Sequence, residues 1–344
     1  MAHVIFSFDT RKVDFKFMFI SRAPLRISLG GGGTDLPSYY SKYGGFFISA
    51  AIDKYTYVSV SSPFVKKIIL KYSNYEEVDN PLDIKNPLIR ETLFEYSPNP
   101  NDPIEIISFA DIPSGTGLGS SGSFCVALLK SLSGFYKLHS SSHEIAEKAC
   151  KIEIERLNEP VGKQDQFISA FGGINSFEIS RSGEVSITPL HISQETLSDL
   201  ENNLMLFYTG IQRKASSVLV DQDKKTIESD AKTIENLHRT KELGKTSFDL
   251  LKNSKLNQFA LLMHEHWINK RKRSLSMSND YVNKIYDAAI ANGALGGKIV
   301  GAGGGGFLMF YAENKTQLRD EMKKFDLVEM KFQFNFSGVQ PILI

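Results

Sequence analysis

The sequence is poor in cysteine. Cys125 and Cys150 are the only two in 344 residues, and both lie in apolar segments with helical periodicity. We therefore expect buried free thiols rather than a disulfide framework, which fits a reducing, cytoplasmic environment. The chain also lacks the CxxC and HExxH patterns, and His264 and His266 are two positions apart, so they would diverge on a helix. The sequence therefore contains none of these common zinc-binding motifs.

The chain also has almost no net charge and no long apolar run. With 40 basic and 39 acidic residues the formal net charge is +1, so no overall field attracts the chain to nucleic acid or to an anionic membrane. No apolar run is long enough to cross a bilayer. Charged residues interrupt the first 17 positions, so we expect no secretory signal there, and residues 1–17 are interpreted as an extension that the fold does not require. The predicted partners are small molecules, and the oligomeric state is left open.

The order of strand and helix patterns indicates an α+β protein with two domains. The chain is longer than one hydrophobic core usually serves. Apolar alternation predicts strands in the first third, followed by helices over 122–134 and 142–157. Strand patterns return at 173–178 and 204–208, before a mostly helical stretch over 216–291 with breaks at Gly244 and near Ser274. Grouped strands and helices favour α+β over repeated βαβ units. We place the boundary near Leu197, which gives domains at 18–197 and 198–344.

Glycine is concentrated in three clusters. Of the 26 glycines, four lie at 30–33, four at 115–122 and eight at 293–306. Glycine accepts positive φ and permits close backbone approach, at a cost in conformational entropy. The sequence therefore predicts three special backbone segments and a site that uses them.

The middle cluster joins a strand to a helix that begins near Ser121. Free amides of a first helical turn, together with loop amides, bind phosphate oxygens, and the helix dipole adds to this. A triphosphate also needs a divalent cation, held by a hydroxyl and a carboxylate in the manner typical of Mg²⁺. We predict Ser121 as the hydroxyl ligand of Mg²⁺. The predicted nucleotide-binding residues are Pro113, Gly115, Gly117, Leu118, Gly119, Ser120, Ser121 and Gly122.

Three other interpretations of this loop were weighed. Gly117, Gly119 and Gly122 satisfy the dinucleotide pattern GxGxxG, but no second strand ending in an acidic residue follows. A Walker A loop requires Lys before its last Ser or Thr, and here Ser120 follows Gly119 directly. A plain glycine turn with a serine N-cap stays open.

The three glycine segments occur in an order that resembles a known superfamily. They are APLR at 23–26 running into GGGGTDLP, then PSGTGLGSSGS at 113–123, then GAGGGG at 301–306. Together they resemble the motifs of the GHMP kinases from about Met18 to the C-terminus. The resemblance implies a ribosomal S5-like N-terminal domain, a ferredoxin-like C-terminal domain and a central cleft where ATP and acceptor meet.

Longer segments narrow the resemblance. Those at 22–45, 159–173, 207–219 and 264–276 look like the bacterial D-glycero-D-manno-heptose 7-phosphate kinases. This similarity implies transfer of the ATP γ-phosphate to the anomeric hydroxyl of a heptose 7-phosphate, giving a 1,7-bisphosphate for nucleotide-sugar and surface polysaccharide synthesis. Galactokinases carry Glu and His where this chain has Gly32 and Gly33, which disfavours galactose. A fucokinase-like sugar 1-kinase and a non-catalytic nucleotide- and sugar-binding sensor stay open.

The resemblance also assigns catalytic roles. Asp165 matches the catalytic aspartate, with Lys163 and Arg26 as cations that keep it ionised, and Arg26 also matches an arginine that stabilises the transferred group. Glu155 matches the metal-binding glutamate, although Glu153 is an alternative; two residues apart on a helix, only one can face the cleft.

The acceptor site is expected in two parts. Gly32, Gly33, Thr34 and Asp35 would contact sugar hydroxyls, with Asp35 as a solvated turn residue in the alternative view. Gly303 and Gly304 of the third cluster are also predicted to contact the substrate. A second phosphate requires a further anion site, for which arginine is well suited. Its candidates are Arg213, Lys214, Lys270, Arg271 and Arg273, of which we single out Arg213 and Arg271.

Overall fold

The computed structural model describes residues 18–213 and 215–342. The interpretation of residues 1–17 as an extension and the candidate Lys214 lie outside the described residues. Twelve strands are described: β1 Phe19–Gly30, β2 Gly45–Ser61, β3 Ile68–Lys71, β4 Tyr75–Val78, β5 Ile104–Ala110, β6 Ile174–Ile179, β7 Val185–Pro189, β8 Leu204–Tyr208, β9 Gly296–Ile299, β10 Phe307–Tyr311, β11 Val328–Met330 and β12 Gln340–Ile342.

Eleven α-helices are described in the same residues: α1 Pro37–Tyr43, α2 Pro87–Tyr96, α3 Ser120–Phe135, α4 Ser142–Cys150, α5 Gln164–Phe171, α6 Gln194–Asn203, α7 Ala215–Ile227, α8 Ala231–Lys252, α9 Leu256–Arg271, α10 Asp280–Ala291 and α11 Lys315–Lys323. A π-helix, Lys151–Arg156, continues α4 directly. Two 3₁₀ turns complete the set, at Pro81–Asp83 and Leu275–Met277.

The first sheet has eight strands. Its main path runs β12-β1-β2-β5-β3-β4, and β6 pairs with β2 and β7. Strand β2 is long enough to pair with β6 through its first half and with β5 through its second half. The sequence predicted two strands here, which the structure joins into one, with a register shift opposite Pro24 and Leu25 of β1.

The second sheet has four antiparallel strands in the order β11-β8-β10-β9. The last described strand, β12, returns to pair with β1 in the first sheet. The proposed boundary at Leu197 stays a prediction, and β12 adds a strand to the first sheet from beyond it.

Three apolar cores fill the layers. One lies between the first sheet and α2 to α5 and contains both cysteines, which are buried and free as predicted. A second lies on the other face, where Leu25, Ile27 and Leu29 of β1 meet β8, β10 and α9. A third lies between the second sheet and α10. Because β1 is covered on both faces, it is buried almost throughout its second half, which gives its polar side chains a rigid base.

Gly244 lies inside α8 instead of ending a helix, which corrects the predicted break. The reason is packing: a Cβ at Gly244 would lie 2.9 Å from Cα of Gly31 in the first glycine cluster. Helix α8 therefore approaches that cluster at backbone distance. Among the described residues, no helix combines the length and apolar character that a bilayer crossing requires.

Replacing Gly244 by Ala tests this packing. Alanine at an exposed helix position favours folding by up to about 1 kcal/mol over glycine, but here the added methyl meets backbone. We expect Gly244→Ala to lower the free energy of unfolding in urea by about 1–3 kcal/mol. Thr246→Ala, at an exposed position of the same helix, is the control and should stay within about 0.5 kcal/mol of the parent. A Gly244→Ala protein as stable as the parent would contradict the close approach.

Candidate active site

The second glycine cluster forms a loop between β5 and α3. Gly115, Gly117 and Gly119 have φ values of 78°, 85° and 80°, a region that glycine adopts without strain. Gly119 directly precedes α3, whose first-turn amides have no helical acceptor. Because these amides and the helix dipole favour anions, the loop has the form expected of a phosphate site.

The third glycine cluster packs against this loop backbone to backbone. A Cβ at Gly117 would lie 2.7 Å from the carbonyl oxygen of Val300. The side chain of Leu118 does not reach the site, because it is fully buried in the core between the sheets. Its carbonyl accepts a hydrogen bond from the amide of Arg26 at 2.9 Å. The loop is thus held by β1 on one side and by the third cluster on the other.

Asp165 lies beside the loop and is paired with Arg26. Its Oδ1 accepts a hydrogen bond from Nε of Arg26 at 2.8 Å and lies 2.7 Å from Nη2. Arg26 also donates from Nη1 to the carbonyl of Gly117 at 2.6 Å. A Cβ at Gly122 would lie 2.6 Å from Cβ of Asp165. The structure places Asp165 in the first turn of α5, and it brings Asp165 and Arg26 together as the sequence predicted.

Glu153 is the second acidic residue near the phosphate loop, and it lies beside the start of α3. Ser121 donates its hydroxyl to Oε1 of Glu153, and Gln166 donates from Nε2 to Oε2 at 2.6 Å. Burial raises the pKa of Glu153 to about 7, against the opposing effect of these two hydrogen bonds. Oε1 of Gln166 is buried and finds no donor among the described residues. The carboxylate, the hydroxyl and this unpaired amide oxygen form a compact group of oxygen atoms.

The prediction that Glu155 faces the site is wrong. Glu155 is exposed, whereas Glu153 is 3% exposed. Ala146, Ala149 and Glu153 follow one another at helical spacing, so Glu153 continues the buried face of α4 and lies against Ser121, whereas Glu155 lies on the exposed side. Both glutamates belong to the π-helix Lys151–Arg156, in which the amide of Leu157 bonds to the carbonyl of Ile152, five residues earlier, at 3.0 Å.

The first glycine cluster presents Asp35 to a cavity. Oδ1 of Asp35 accepts from the amide of Gly33 at 3.0 Å, and Oδ2 accepts from the amide of Gln164 at 3.2 Å. Burial raises the pKa of Asp35, partly offset by the Gly33 amide. Gly32, Gly33 and Asp35 line the cavity together with Asp165. Asp35 is therefore a buried acceptor and not a solvated turn residue.

Two predicted substrate residues have other contacts. Thr34 is fully buried, and its hydroxyl is 2.7 Å from the carbonyl oxygen of Phe46 and 3.1 Å from the amide nitrogen. It therefore fixes the glycine run to β2. Lys163 does not stand beside Asp165: its ammonium donates to the carbonyl of Gly183 at 2.7 Å. Of the two cations predicted to lie next to Asp165, Arg26 alone is found there.

Besides Arg26, the buried cations Arg273 and Lys298 and the half-buried Lys270 line the same cavity. Lys270 donates to the carbonyl of Gly301. Arg273 donates to neutral oxygens of Asn236, Gln222 and Thr240 at 2.9, 2.9 and 2.6 Å. Sequence reasoning missed Lys298, although a lysine inside an apolar strand next to a glycine cluster was a usable signal. It also missed Ser28, Gln164, Gln222 and His266, which line the cavity.

The residues singled out for the second anion site lie elsewhere. Arg271 does not line the cavity and lies over the ring of Trp267, with the guanidinium carbon 5.9 Å from the centroid. The amide of Arg213 donates to the carbonyl of Gly115 at 3.0 Å, and a Cβ at Gly304 would lie 2.7 Å from its Nη1. Arg213 therefore belongs to the joined glycine loops.

An aromatic pair lies at the end of β5, next to the phosphate loop. Tyr57 stacks on Phe109 with centroids 4.7 Å apart, and Phe109 is 62% exposed at the end of β5, just before the phosphate loop. Lys67 is paired with Asp79 at 2.8 Å.

Comparison with known proteins identifies the family. The chain matches the family model for the GHMP kinases N terminal domain over residues 86–173 and the one for the GHMP kinases C terminal region over residues 247–326. It is 32% identical over 333 residues to the D-glycero-alpha-D-manno-heptose 7-phosphate kinase of Campylobacter jejuni, which covers 93% of this chain and 97% of that protein. The chain belongs to the GHMP kinases.

Solved structures agree with the GHMP kinase fold. A D-glycero-D-manno-heptose 1-phosphate kinase from Bacteroides thetaiotaomicron is similar over 95% of this chain and 99% of that chain, with a TM-score of 0.77 and 27% identity. The galactokinase of Lactococcus lactis in complex with galactose covers 96% of each chain, with a TM-score of 0.78 at 18% identity, a likeness of fold alone. The predicted two-domain GHMP fold is confirmed.

Membership of the GHMP kinases makes the chain a phosphotransferase with an alcohol acceptor and ATP as the donor. Within the described residues no three His, Cys, Asp or Glu side chains cluster as a protein-only metal cage. Mg²⁺ bound with nucleotide phosphates needs only one or two carboxylates. The oxygen group of Glu153, Ser121 and Gln166 fits that requirement.

The neighbouring glutamates provide a matched test. If Glu153 holds the metal, Glu153→Gln removes a charged ligand, and we expect turnover to fall by about 100-fold or more with a higher Mg²⁺ requirement. Glu155→Gln should stay within about threefold of the parent. Initial rates over a Mg²⁺ titration measure both. Equal effects of the two changes, or a loss confined to Glu155→Gln, would contradict the assignment.

Proposed function

We propose that the chain is an ATP-dependent sugar kinase that phosphorylates the anomeric hydroxyl of D-glycero-D-manno-heptose 7-phosphate. The product would be the 1,7-bisphosphate, a precursor for nucleotide-heptose and surface polysaccharide. The observation that carries the proposal is the Arg26–Asp165 pair, which touches the phosphate loop and also lines the cavity. One carboxylate is thus available both to an acceptor in the cavity and to the end of a nucleotide on the loop.

The residues have separate tasks in this proposal. Asp165 orients the acceptor hydroxyl and takes its proton, as phosphoryl transfer requires of one group. Arg26 keeps Asp165 in place and adds positive charge where negative charge develops. Asp35 accepts from a second sugar hydroxyl, since the two backbone amides leave it further acceptor capacity. Magnesium, held by Glu153 and Ser121, would neutralise charge on the nucleotide phosphates.

The relatives support a phosphorylated heptose without fixing the position of its phosphate. One is named a heptose 7-phosphate kinase and another a heptose 1-phosphate kinase. A fucokinase-like activity is the competing proposal, supported by 26% identity to the bifunctional fucokinase/GDP-fucose pyrophosphorylase of Arabidopsis thaliana. A non-catalytic sensor has less support, because a pure binder has no need of both Glu153 and Asp165.

Product analysis tests the substrate. With Mg·ATP, we expect ADP release with heptose 7-phosphate and a new ³¹P signal of an anomeric phosphate. L-Fucose and free heptose should react at least about 30-fold less efficiently. A preference for L-fucose would replace this proposal with the fucokinase, and no ADP release with any sugar in the panel would refute a sugar kinase.

Substitution of Asp165 tests the chemistry. Asp165→Asn keeps the shape but cannot accept a proton, so kcat should fall by about 100-fold or more while binding of a non-hydrolysable ATP analogue persists. Asp199→Asn, at an exposed position of α6, controls for loss of one carboxylate and should leave kcat unchanged. Circular dichroism checks that both variants fold. A kcat within fivefold of the parent would exclude Asp165 as the base.

A further inference from the structure

Lys298 is a buried cation without an anionic partner. It lies on β9, is 7% exposed and lines the cavity. Among residues 18–213 and 215–342, its ammonium forms no hydrogen bond or ion pair. An unpaired buried charge is costly and is rarely retained without a use.

Its charged neighbours increase that cost. Arg26 of β1 and His266 and Lys270 of α9 interact electrostatically with Lys298, and Arg273, in the turn that follows α9, lies close to His266 and Lys270. Burial, and then repulsion by Arg26, lowers the pKa of Lys298 to about 7. Burial, and then repulsion by Arg273 and Lys298, also holds the pKa of Lys270 well below its usual value. This wall of the cavity therefore favours binding of a negatively charged ligand.

Within the described residues, the carboxylates of the cavity form no ion pair with Lys270, Arg273 or Lys298, although Asp35 opposes the lowering of the pKa of Arg273 by burial. Asp165 is engaged by Arg26, and Asp35 is held by the amides of Gly33 and Gln164. A phosphate monoester brings about −1.5 to −2 charges at pH 7 and three acceptor oxygens, which matches a group of three cations. The nucleotide phosphates have their own amides at the start of α3, so this second anion must come from the acceptor.

We propose that Lys298, with Lys270 and Arg273, forms the subsite that binds the phosphate group already present on the acceptor. The inference rests on the proposed function, because it assigns the phosphorylated end of the same sugar. It gives Lys298 the main part, since Lys270 and Arg273 already have protein acceptors. The subsite makes a phosphate on the sugar a condition for tight binding.

Equilibrium binding tests the subsite independently of turnover. Heptose 7-phosphate and the same sugar without phosphate are titrated by calorimetry, each with Mg²⁺ and a non-hydrolysable ATP analogue. The parent should bind the phosphorylated sugar at least about 30-fold more tightly. Lys298→Met should weaken binding of that sugar by about 10- to 100-fold and binding of the free sugar by less than about threefold. Lys284→Met, at an exposed position of α10, is the control and should change neither.

Stability separates this role from a structural one. Methionine fills the volume of lysine without its charge, so we expect the thermal midpoint of Lys298→Met to equal or exceed that of the parent. A lower midpoint together with equal losses for both sugars would overturn the subsite, because Lys298 would then support the fold. An unchanged midpoint with equal losses would also overturn it and would assign Lys298 to the transferred phosphoryl group.

The two proposals fail in different ways. A parent protein that binds heptose 7-phosphate tightly but releases no ADP refutes the kinase proposal and leaves the subsite intact. A parent protein that releases ADP with a sugar phosphate but binds phosphorylated and free sugar equally refutes the subsite and leaves the kinase intact.

Discussion

The ion pair between Arg26 and Asp165 is the contact on which the site depends. It joins the buried half of β1 to the first turn of α5, and a further bond from the same guanidinium reaches the carbonyl of Gly117. Three segments that are far apart in sequence are thereby fixed to one another within hydrogen-bond distance. Because β1 is covered on both faces by apolar cores, the pair has a rigid base. Its geometry therefore depends little on side-chain rotation.

The sequence predicts the parts of the site that depend on backbone chemistry. Glycine clusters have few uses other than positive φ and close approach, so the sequence predicted three special backbone segments and the phosphate loop before α3, but not the contact between the second and third clusters. The pairing of Arg26 with Asp165 followed from the family motifs, not from spacing, because 139 positions separate the two residues. The α+β class and the GHMP fold followed from element order and motif order.

The parts that sequence reasoning missed depend on helical phase and on tertiary contacts. Glu153 and Glu155 have the same local chemistry, and only their positions around the helix decide which one is buried. The basic residues at 270–273 form one run in the sequence. In the structure, Lys270 and Arg273 line the cavity, whereas Arg271 packs on Trp267. Lys298 is adjacent to none of them in sequence. The positions of Lys298 and of the basic residues at 270–273 depend on how β9 and α9 pack together, which no local pattern encodes.

The helical phase at Glu153 also limits how this segment can change in length. Each residue added to or removed from a helix rotates everything beyond it by about 100°. Loss of a single residue between α4 and Glu153 would therefore turn Glu153 away from Ser121. An alignment of relatives should keep the spacing between α4 and Glu153 and place its insertions and deletions beyond Glu153, where Glu155 and Arg156 are exposed and bear no direct part in the chemistry.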